Sequence, residues 1–299
     1  MSNYVEIGQY KVGPDYPPFL VCEIGINYAM DDNFLQNTLD MIHLARMVGA
    51  HAVKFQKRTP RICVPESEWN KPKETPWGER KYIDYKEDIE FDRPEYDAID
   101  AKCKEEGILW FASVWDEPSL EFMEIYNPPC YKVGSANLTD EPLLAKILDT
   151  ERPIILSTGM STSEEIFRAL YFCEEAVGRL IICHSTSIYP CPKPKLNLRM
   201  IATIKDTVKD VVVTGYSGHE IGTSVTPAAV ALGASYIERH FTLNRRGWGT
   251  DQAASIEHWQ FKQMVDQCNE IWAALGTGVK EVYPEELEKM ASLRKVAVV

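Results

Sequence analysis

Eight short apolar segments, separated from one another by stretches with helical periodicity, constrain the fold of this chain more than any other feature. The segments are residues 19–27, 50–57, 108–113, 130–135, 153–160, 179–187, 211–219 and 236–243. Between the first two, apolar residues recur at helical spacing from Phe34 to Ala45, and Gly49 follows as a helix stop. Near-continuous apolar strands that alternate with helices are typical of a parallel sheet covered on both faces.

Eight such strand–helix units predict a closed (β/α)8 TIM barrel of the α/β class, folded as a single domain. The alternative is a doubly wound open sheet. That alternative loses support because no GxGxxG motif, which would indicate a dinucleotide site, follows the first segment.

The predicted barrel spans residues 19–278 of the 299, between a short N-terminal extension (1–18) and a C-terminal helical stub or linker (279–299). An unusually long connection, residues 58–93, follows the second segment. In a barrel such connections lie on the C-terminal face, where active sites are built. This connection is rich in Trp and Tyr, so it predicts either a cover over a substrate or a surface excursion with its own apolar cluster.

Charge and composition exclude some classes of partner. The chain carries 32 Lys and Arg against 44 Asp and Glu, a net charge of −12, and it has no basic run. We therefore expect no nucleic-acid or membrane partner, although a local cluster of positive charge can still bind a small anion. The N-terminus lacks the features of a signal peptide, no apolar run approaches the ~18 residues of a membrane span, and none of the eight cysteines forms a CxxC pair. These features predict a cytoplasmic protein with reduced thiols.

Polar residues late in the strands of a barrel point to its chemistry. His219 and His240 end the seventh and eighth segments, and adjacent strands lie ~4.8 Å apart. The two imidazoles can therefore bind one divalent metal ion, whose other ligands would be water, substrate or a carboxylate. Imidazole does not select one metal. Two hydrogen-bonded structural histidines are the alternative.

Two lysines, Lys54 and Lys132, lie in the second and fourth segments and need anionic partners, since buried lysines are almost always paired. Alternate strands contribute to the same interior layers, so these lysines can converge. Their partner could be Glu23 or Glu238, or a bound phosphate or carboxylate. Serine hydroxyls at nearby strand ends favour an anion pocket, but a lysine at a strand end is also the arrangement of a Schiff-base aldolase. The pattern does not separate these possibilities.

A series of motifs across the chain resembles one known family. In order, the chain contains VCEIGINYAM, GAHAVKFQK, YKVGSANL, LSTGMST, STSIYP, GYSGHEIG, ALGASYIERHFTL and GTDQAAS. Together they resemble the sialic acid synthase (N-acetylneuraminate synthase) family over residues 17–299, and WGERKYIDYKEDIEF in the long connection resembles its animal-type members.

The resemblance implies a transferase that condenses phosphoenolpyruvate (PEP) with an open-chain aldose or N-acyl hexosamine. The products are a 3-deoxy-2-ulosonic, sialic acid-like acid and phosphate, and the cofactor is a divalent metal, Mn²⁺ or Mg²⁺. The implied catalytic residues are Glu23, Lys54, Lys132, His219 and His240, of which His219 and His240 hold the metal. The implied PEP-binding residues are Lys54, Gln56, Lys132, Ser135, Ser157, Ser187 and Ser217, and the implied sugar-binding residues are Asn137, Tyr189 and Asp251. A class I aldolase and a non-catalytic paralogue that binds a sugar acid remain as alternatives.

The chain departs from the family pattern at a few positions. Tyr28 stands where the family usually has His, Met30 where it has Gly, and Ser187 where it often has Asn. Ala136 and Asn137 replace a Gly and an acidic residue. We interpret these as sugar-facing positions, and they predict that the core chemistry is kept while the sugar differs from, or is held differently than, N-acetylmannosamine.

Many family members continue into an antifreeze-like C-terminal domain, which in a homodimer supplies an arginine to the partner's sugar site. Here the chain stops at the entry to that linker, so the resemblance implies the catalytic barrel of a homodimer without this domain. A separate lid protein, or the connection 58–93, could take its place. Arg58, Arg61 and Arg80 in that connection are candidates for the missing cation, but for each one a solvated surface charge is favoured.

Overall fold

The computed structural model describes residues 3–209 and 212–296 of the chain. Part of three predicted segments therefore lies outside the described residues: the first residue of the strand segment 211–219, the first two of the N-terminal extension and the last three of the C-terminal stub.

Eight parallel strands form a closed barrel within the described ranges, and this confirms the predicted (β/α)8 fold. The strands in chain order are β1 (Val5–Ile7), β2 (Tyr10–Val12), β3 (Phe19–Glu23), β4 (Ala52–Lys57), β5 (Pro72–Thr75), β6 (Gly78–Lys81), β7 (Leu109–Val114), β8 (Tyr131–Val133), β9 (Ile154–Ser157), β10 (Leu180–Ser185), β11 (Val213–Gly218) and β12 (Tyr236–His240). The barrel closes in the order β10-β11-β12-β3-β4-β7-β8-β9. Each predicted apolar segment thus contains one barrel strand, although the first forms a strand only as far as Glu23.

Helices cover the outside of the barrel between its strands. The α-helices are α1 (Phe34–Met47), α2 (Pro60–Cys63), α3 (Tyr82–Asp88), α4 (Arg93–Glu106), α5 (Glu117–Glu124), α6 (Glu141–Leu148), α7 (Ser163–Phe172), α8 (Arg199–Val208), α9 (Thr226–Ala231), α10 (His258–Leu275) and α11 (Pro284–Leu293). In the part of the chain that the structure describes, no helix combines the length and the apolar character that a bilayer span needs. Helix α11 in the C-terminal segment buries none of its described residues.

Two apolar layers hold the barrel together. One lies between the strands and the helices, and the other fills the N-terminal end of the barrel interior with side chains such as Phe19, Phe111 and Tyr236. The antiparallel hairpin β1–β2 packs against this second layer through Val5 and Ile7. The N-terminal extension therefore closes the bottom of the barrel, opposite the face on which the loops after the strands lie.

The connection 58–93 is structured and packs onto the other end. It contains α2, the antiparallel hairpin β5–β6 and α3. The Trp77 ring meets Phe34 and Trp248, with centroids 5.3 and 5.8 Å apart, and the Tyr85 ring lies 5.5 Å from Trp248. The connection is thus fastened to the loop that follows β12.

Candidate active site

Strand alternation brings the polar residues of the motifs to the barrel interior. In β4, Val53 and Phe55 belong to the apolar layer under the helices, so Lys54 and Gln56 point inward. The pairing of the strands then sets inward residues side by side around the barrel. The register pairs Ser217 with Glu238, His240 with Glu23, Glu23 with Lys54, Ser113 with Lys132, and Ser185 with Ser217.

Two lysines and two carboxylates form a charged layer just above the apolar bottom of the barrel. Lys54 Nζ lies 2.6 Å from Glu23 Oε2 and 3.6 Å from Glu238 Oε1, and Lys132 Nζ donates to both oxygens of Glu238 at 3.0 and 3.1 Å. None of these four side chains is more than 5% exposed. The lysines therefore have the carboxylate partners that the sequence suggested.

The charged layer fixes protonation states. Burial by itself would raise the pKa of Glu238, but the ammonium groups of Lys132 and Lys54 reverse this and hold it well below its usual range. Burial likewise opposes the charge on Lys54, yet Glu23 and Glu238 raise its pKa above the ordinary value. Both charges thus persist through the neutral range.

A cavity of about 280 Å³ opens above this layer. The predicted catalytic residues border it, as do the predicted PEP residues Lys54, Gln56, Lys132, Ser135, Ser157, Ser187 and Ser217. Of the predicted sugar residues, Tyr189 and Asp251 line the wall, whereas Asn137 is absent from the described lining. The amide of Asn137 instead donates to the carbonyl of Trp115 at 3.3 Å.

Serine hydroxyls converge on one side of the cavity. Ser185 and Ser187 have buried Oγ atoms without a hydrogen-bond partner among the described residues. Ser135 Oγ accepts from the backbone N–H of Gly159 at 3.1 Å. A Cβ at Gly159 would lie 2.2 Å from Ser187 Oγ and 2.7 Å from Ser135 Oγ, so only glycine lets these hydroxyls approach. Because unpartnered buried hydroxyls are costly, the arrangement fits a ligand with acceptor oxygens.

Ser185 was missed by the sequence analysis. It lies on β10 two residues before Ser187, and the alternation of strand residues could have identified it as inward-facing.

The two histidines stand beside each other at the rim of the charged layer. Their ring centroids are 5.4 Å apart. His219 Nδ1 lies 2.9 Å from the carbonyl of Thr186; a carbonyl only accepts, so Nδ1 carries the proton and Nε2 keeps its lone pair. Burial, aided by the proximity of His240, lowers the pKa of His219 to about 3, so its imidazole is neutral. His240 Nδ1 is buried without a hydrogen-bond partner in the described part of the chain and lies 3.6 Å from Asp251 Oδ2.

This donor set fits a divalent metal ion with open coordination positions. Neutral imidazole nitrogens are metal ligands, and Asp251 offers a carboxylate beside them. Within residues 3–209 and 212–296, no three His, Cys, Asp or Glu side chains converge into a complete metal site. Further ligands would therefore have to come from water or substrate.

The departures from the family pattern divide into two groups. Ala136 and Ser187 border the cavity. Tyr28 does not: its hydroxyl donates to the carbonyl of Ile89 at 2.7 Å and its ring stacks on Phe91 with centroids 4.3 Å apart. Met30 and Asn137 are likewise not part of the described wall. The interpretation of these positions as sugar-facing is therefore wrong for Tyr28, which instead anchors the base of the long connection.

Two cations of the long connection line the cavity. The Arg58 side chain is only 11% exposed; its Cζ lies 4.5 Å from the centroid of the Trp115 ring, and it donates to Gln56 Oε1. A solvated surface charge is therefore the wrong interpretation for Arg58. Arg61 and Arg80, with side chains 52% and 49% exposed, are surface charges as predicted. Lys86, which the sequence analysis did not single out, also borders the cavity.

Comparison with known proteins identifies relatives. The model of the NeuB family matches residues 41–280. The chain is 32% identical to the human N-acetylneuraminate-9-phosphate synthase over 96% of this chain and 79% of the relative. It is 30% identical to the N,N'-diacetyllegionaminic acid synthase of Campylobacter jejuni over 93% of this chain and 84% of that protein. The crystal structure of the N-acetylneuraminic acid (sialic acid) synthetase of Leptospira borgpetersenii, in complex with citrate, superposes with a TM-score of 0.86 at 28% identity, covering 99% of both chains.

Proposed function

We propose that this chain, which belongs to the NeuB family, condenses PEP with the aldehyde of an open-chain aldose or N-acyl hexosamine in a metal-dependent reaction. The product is a 3-deoxy-2-ulosonic, sialic acid-like acid. The observation that carries this proposal is the layer in which Lys54 and Lys132, each held by a buried carboxylate, lie below a set of serine hydroxyls and a pair of imidazoles. This layer can bind a multiply charged anion beside a metal-activated carbonyl.

The reaction forms one C–C bond to the sugar and one C–O bond from water to C2, and it breaks the C–O bond between C2 and phosphate. The two protons of the water end on the former aldehyde oxygen and on the phosphate. C3 of PEP attacks the aldehyde carbon, water adds to C2, and phosphate leaves from C2. The ammonium groups of Lys54 and Lys132 neutralise the phosphate and carboxylate of PEP and then the departing phosphate. Ser185 and Ser187 donate their unpartnered hydroxyls to the same oxygens.

Glu23 is the carboxylate that would stabilise positive charge at the reacting carbons and accept a proton there. Its Oε2 is paired with Lys54, and its Oε1 accepts from Gln56 Nε2 at 2.7 Å. These contacts orient the carboxylate toward the cavity, where it can stabilise positive charge at C2 and accept a proton from the attacking water. Gly25, whose φ is +54°, allows this approach, since its Cβ position lies 3.0 Å from Glu23 Oε1 and 3.1 Å from Gln56 Nε2.

His219 and His240 would hold the metal ion, Mn²⁺ or Mg²⁺, with Asp251 near it. When bound, the ion supplies Lewis-acid polarisation of the aldehyde oxygen. Tyr189 packs on His219, with ring centroids 4.1 Å apart, and so fixes the orientation of that imidazole.

The carboxylate partners of the two lysines speak against the aldolase alternative. A Schiff-base lysine must reach its neutral form, which requires a lowered pKa. The pKa of Lys54 is raised by Glu23 and Glu238, and Lys132 donates to both oxygens of Glu238.

A phosphate-release assay tests the proposal. PEP with Mn²⁺ or Mg²⁺ is incubated with a panel of aldoses and N-acyl hexosamines, with and without EDTA. We expect phosphate release with at least one sugar, loss of it with EDTA, and recovery on adding metal. The variant Lys132→Met should lose turnover, whereas Lys71→Met, which changes a lysine 60% exposed, should keep it.

Other outcomes would favour the alternatives. A borohydride-trapped adduct with pyruvate together with EDTA-insensitive turnover would indicate a class I aldolase. Calorimetric binding of a sugar acid without phosphate release for any sugar would indicate a non-catalytic paralogue. Efficient turnover of N-acetylmannosamine would contradict the proposal, made from Ala136 and Ser187, that the acceptor differs from that sugar or is held differently.

A further inference from the structure

Asp251 reaches the cavity from a loop, whereas the two histidines beside it are placed by barrel strands. His240 ends β12, and His219 directly follows β11. Asp251 lies in the connection between β12 and α10. Its Oδ1 atom accepts from the Thr250 hydroxyl at 2.9 Å, which is a contact within the loop itself. The position of this carboxylate therefore depends on how the loop packs against the rest of the molecule.

Buried polar side chains hold the inner side of this loop. Asn27 Nδ2 donates to Ser255 Oγ at 2.8 Å, and Ser255 Oγ donates to the carbonyl of Asp251 at 2.7 Å. Gln252 Nε2 donates to the carbonyl of Asn27 at 2.9 Å. Asn27, Gln252 and Ser255 are at most 1% exposed. These bonds fix the backbone from Asp251 onward.

Aromatic rings hold the outer side of the loop. Trp248 lies in the loop just before Asp251, and its ring meets Trp77 of the hairpin β5–β6 and Tyr85 of α3. The centroids are 5.8 and 5.5 Å apart, and the interplanar angles are 74° and 88°. Aromatic pairs favour this edge-to-face geometry. The backbone that leads into Asp251 is therefore held from the connection 58–93.

Trp77 places the hairpin β5–β6. None of residues 72–81, all of which the structure describes, is buried, and a two-stranded hairpin by itself is only marginally stable in water. Trp77 packs against the apolar layer under the helices, where its ring lies 5.3 Å from Phe34 and its Nε1 donates to Asp32. Trp77 thus bridges the start of α1 and the loop after β12.

We propose that Trp77 is a positioning residue, which acts through Trp248 to hold Asp251 where its carboxylate supports the metal ion. This inference rests on the proposed function, because it takes His219, His240 and Asp251 as the donor set. Neither Trp77 nor Trp248 belongs to the described cavity wall, so the effect passes through the loop. The long connection then orients a donor of the site from outside the cavity.

Calorimetric titration of the full chain with Mn²⁺, without substrates, tests this assignment. Trp77→Ala should weaken the Mn²⁺ affinity about tenfold, as the loss of aromatic contacts on the loop implies. Trp77→Phe keeps a ring between Phe34 and Trp248 and should restore most of the affinity. Trp69→Ala is the matched control, because it removes a half-buried indole of the same connection that packs on Arg61, and it should leave the affinity unchanged.

A double-mutant cycle locates the effect. Asp251→Asn removes the carboxylate and should itself weaken Mn²⁺ binding. Since Trp77 acts through Asp251, adding Trp77→Ala to Asp251→Asn should change the affinity by less than about twofold. In steady-state assays, Trp77→Ala should keep the KM for PEP, because the floor residues lie on barrel strands, and the turnover that it loses at low Mn²⁺ should return at saturating Mn²⁺.

Two results would overturn this role of Trp77 while leaving the proposed function intact. One is a Trp77→Ala variant that binds Mn²⁺ as tightly as wild type. The other is an equal loss of affinity with and without Asp251→Asn, which would mean that Trp77 acts by another route. If the wild-type chain binds no Mn²⁺, the metal-dependent reaction fails, and hydrogen exchange of residues 244–256 decides. Faster exchange in Trp77→Ala than in Trp69→Ala would support the positioning role, and equal exchange would overturn it.

Discussion

The buried lysines of this molecule have two different kinds of surroundings. Lys54 and Lys132 are held by carboxylates within 3.1 Å, whereas Lys86 is surrounded by aromatic rings and another cation. Glu23 and Glu238 raise the pKa of Lys54, whereas burial and then the proximity of Arg58 lower the pKa of Lys86. The charged Lys86 side chain therefore lowers the stability of the folded chain at neutral pH, because burial disfavours its ammonium form.

The pH dependence of stability should reveal this cost. The pKa of Lys86 is lowered from 10.5 to about 8 in the folded protein. Between these values the unfolded chain binds more protons than the folded chain, so this residue makes the free energy of unfolding rise with pH, by at most ~1.4 kcal/mol per pH unit. Guanidinium unfolding should show Lys86→Met to be more stable than wild type at pH 7, with the difference shrinking toward pH 10.

The exposed Lys71 supplies the control for that measurement. Lys71→Met should differ from wild type by a small amount that does not vary across the same pH range, since its side chain is 60% exposed. A Lys86→Met difference that stays constant from pH 7 to pH 10 would mean that Lys86 keeps an ordinary pKa.

The sequence predicted which strand residues face the cavity, but it did not predict that Lys86 of the long connection would border it. Lys54, Lys132 and Glu238 lie on strands, where a period of two fixes the inward face. Lys86 reaches the cavity only because α3 folds back through aromatic contacts, such as that of Tyr85 with Trp248, which have no sequence period. Arg58, one residue beyond β4, continues the alternation of Lys54 and Gln56. For Asn137 the motif gave the wrong prediction. This residue lies in the short turn after β8, and its amide donates to the carbonyl of Trp115 instead of lining the cavity.

At the scale of elements, a buried ion pair holds the loop after β11 against β12. Glu220 and Arg239 are fully buried, and Arg239 Nη1 donates to Glu220 Oε1 at 2.8 Å. The same Nη1 atom also donates to Thr226 Oγ1 at 2.7 Å. Glu220 Oε2 accepts from the hydroxyl of Tyr216 at 2.8 Å. Because Glu220 follows His219 directly, this network fixes the strand end that carries the histidine.

Glu220→Gln should therefore be strongly destabilising. Removing one partner of a buried ion pair leaves an uncompensated charge on Arg239, which costs about 3–5 kcal/mol. The exposed pair of Lys262 and Asp266, with side chains 53% and 60% exposed, is the comparison, and Asp266→Asn should cost less than about 1 kcal/mol. Urea unfolding of both variants measures this, and equal losses would show that Glu220 does not support the loop.

The hairpin β1–β2 is an element that the sequence did not reveal. Each of its strands has three residues, too short for a detectable alternation, so the segment was described only as an extension. The hairpin β5–β6, whose strands have only four residues each, was likewise missed. The eight barrel strands, in contrast, were recognised because each is a dense apolar run bounded by helical patterns.

The position of the hairpin β1–β2 predicts that mutations in it change the free energy of unfolding but not the catalytic rate. Ile7 is fully buried under the barrel floor, so Ile7→Ala should cost about 2–5 kcal/mol of unfolding free energy. The site lies at the other end of the barrel, so kcat measured below the melting range should stay within about twofold of wild type. Glu6→Ala on the exposed side of β1 should alter neither quantity, and a large fall in kcat for Ile7→Ala would place the hairpin in communication with the site.

At the scale of the whole molecule, the site is a property of the closed barrel. Every barrel strand contributes at least one side chain to the cavity wall. The contributing residues, in chain order, are Glu23, Lys54, Gln56, Ser113, Lys132, Ser157, Ser185, Ser217, Glu238 and His240. The net charge of −12 does not describe this site, because the floor places two buried ammonium groups, each paired with a carboxylate, directly beneath the cavity.

This construction predicts how PEP should change thermal unfolding. No single strand can leave the barrel without dismantling the site, so PEP should shift the whole transition upward without splitting it. At a PEP concentration about 100 times its Kd, the free energy of unfolding should rise by about 2.7 kcal/mol. Scanning calorimetry with and without PEP measures the shift. Lys132→Met should abolish it, whereas Lys71→Met should preserve it. A PEP effect confined to part of the transition would show that the site belongs to a subset of the strands, and that the barrel does not unfold as one cooperative unit.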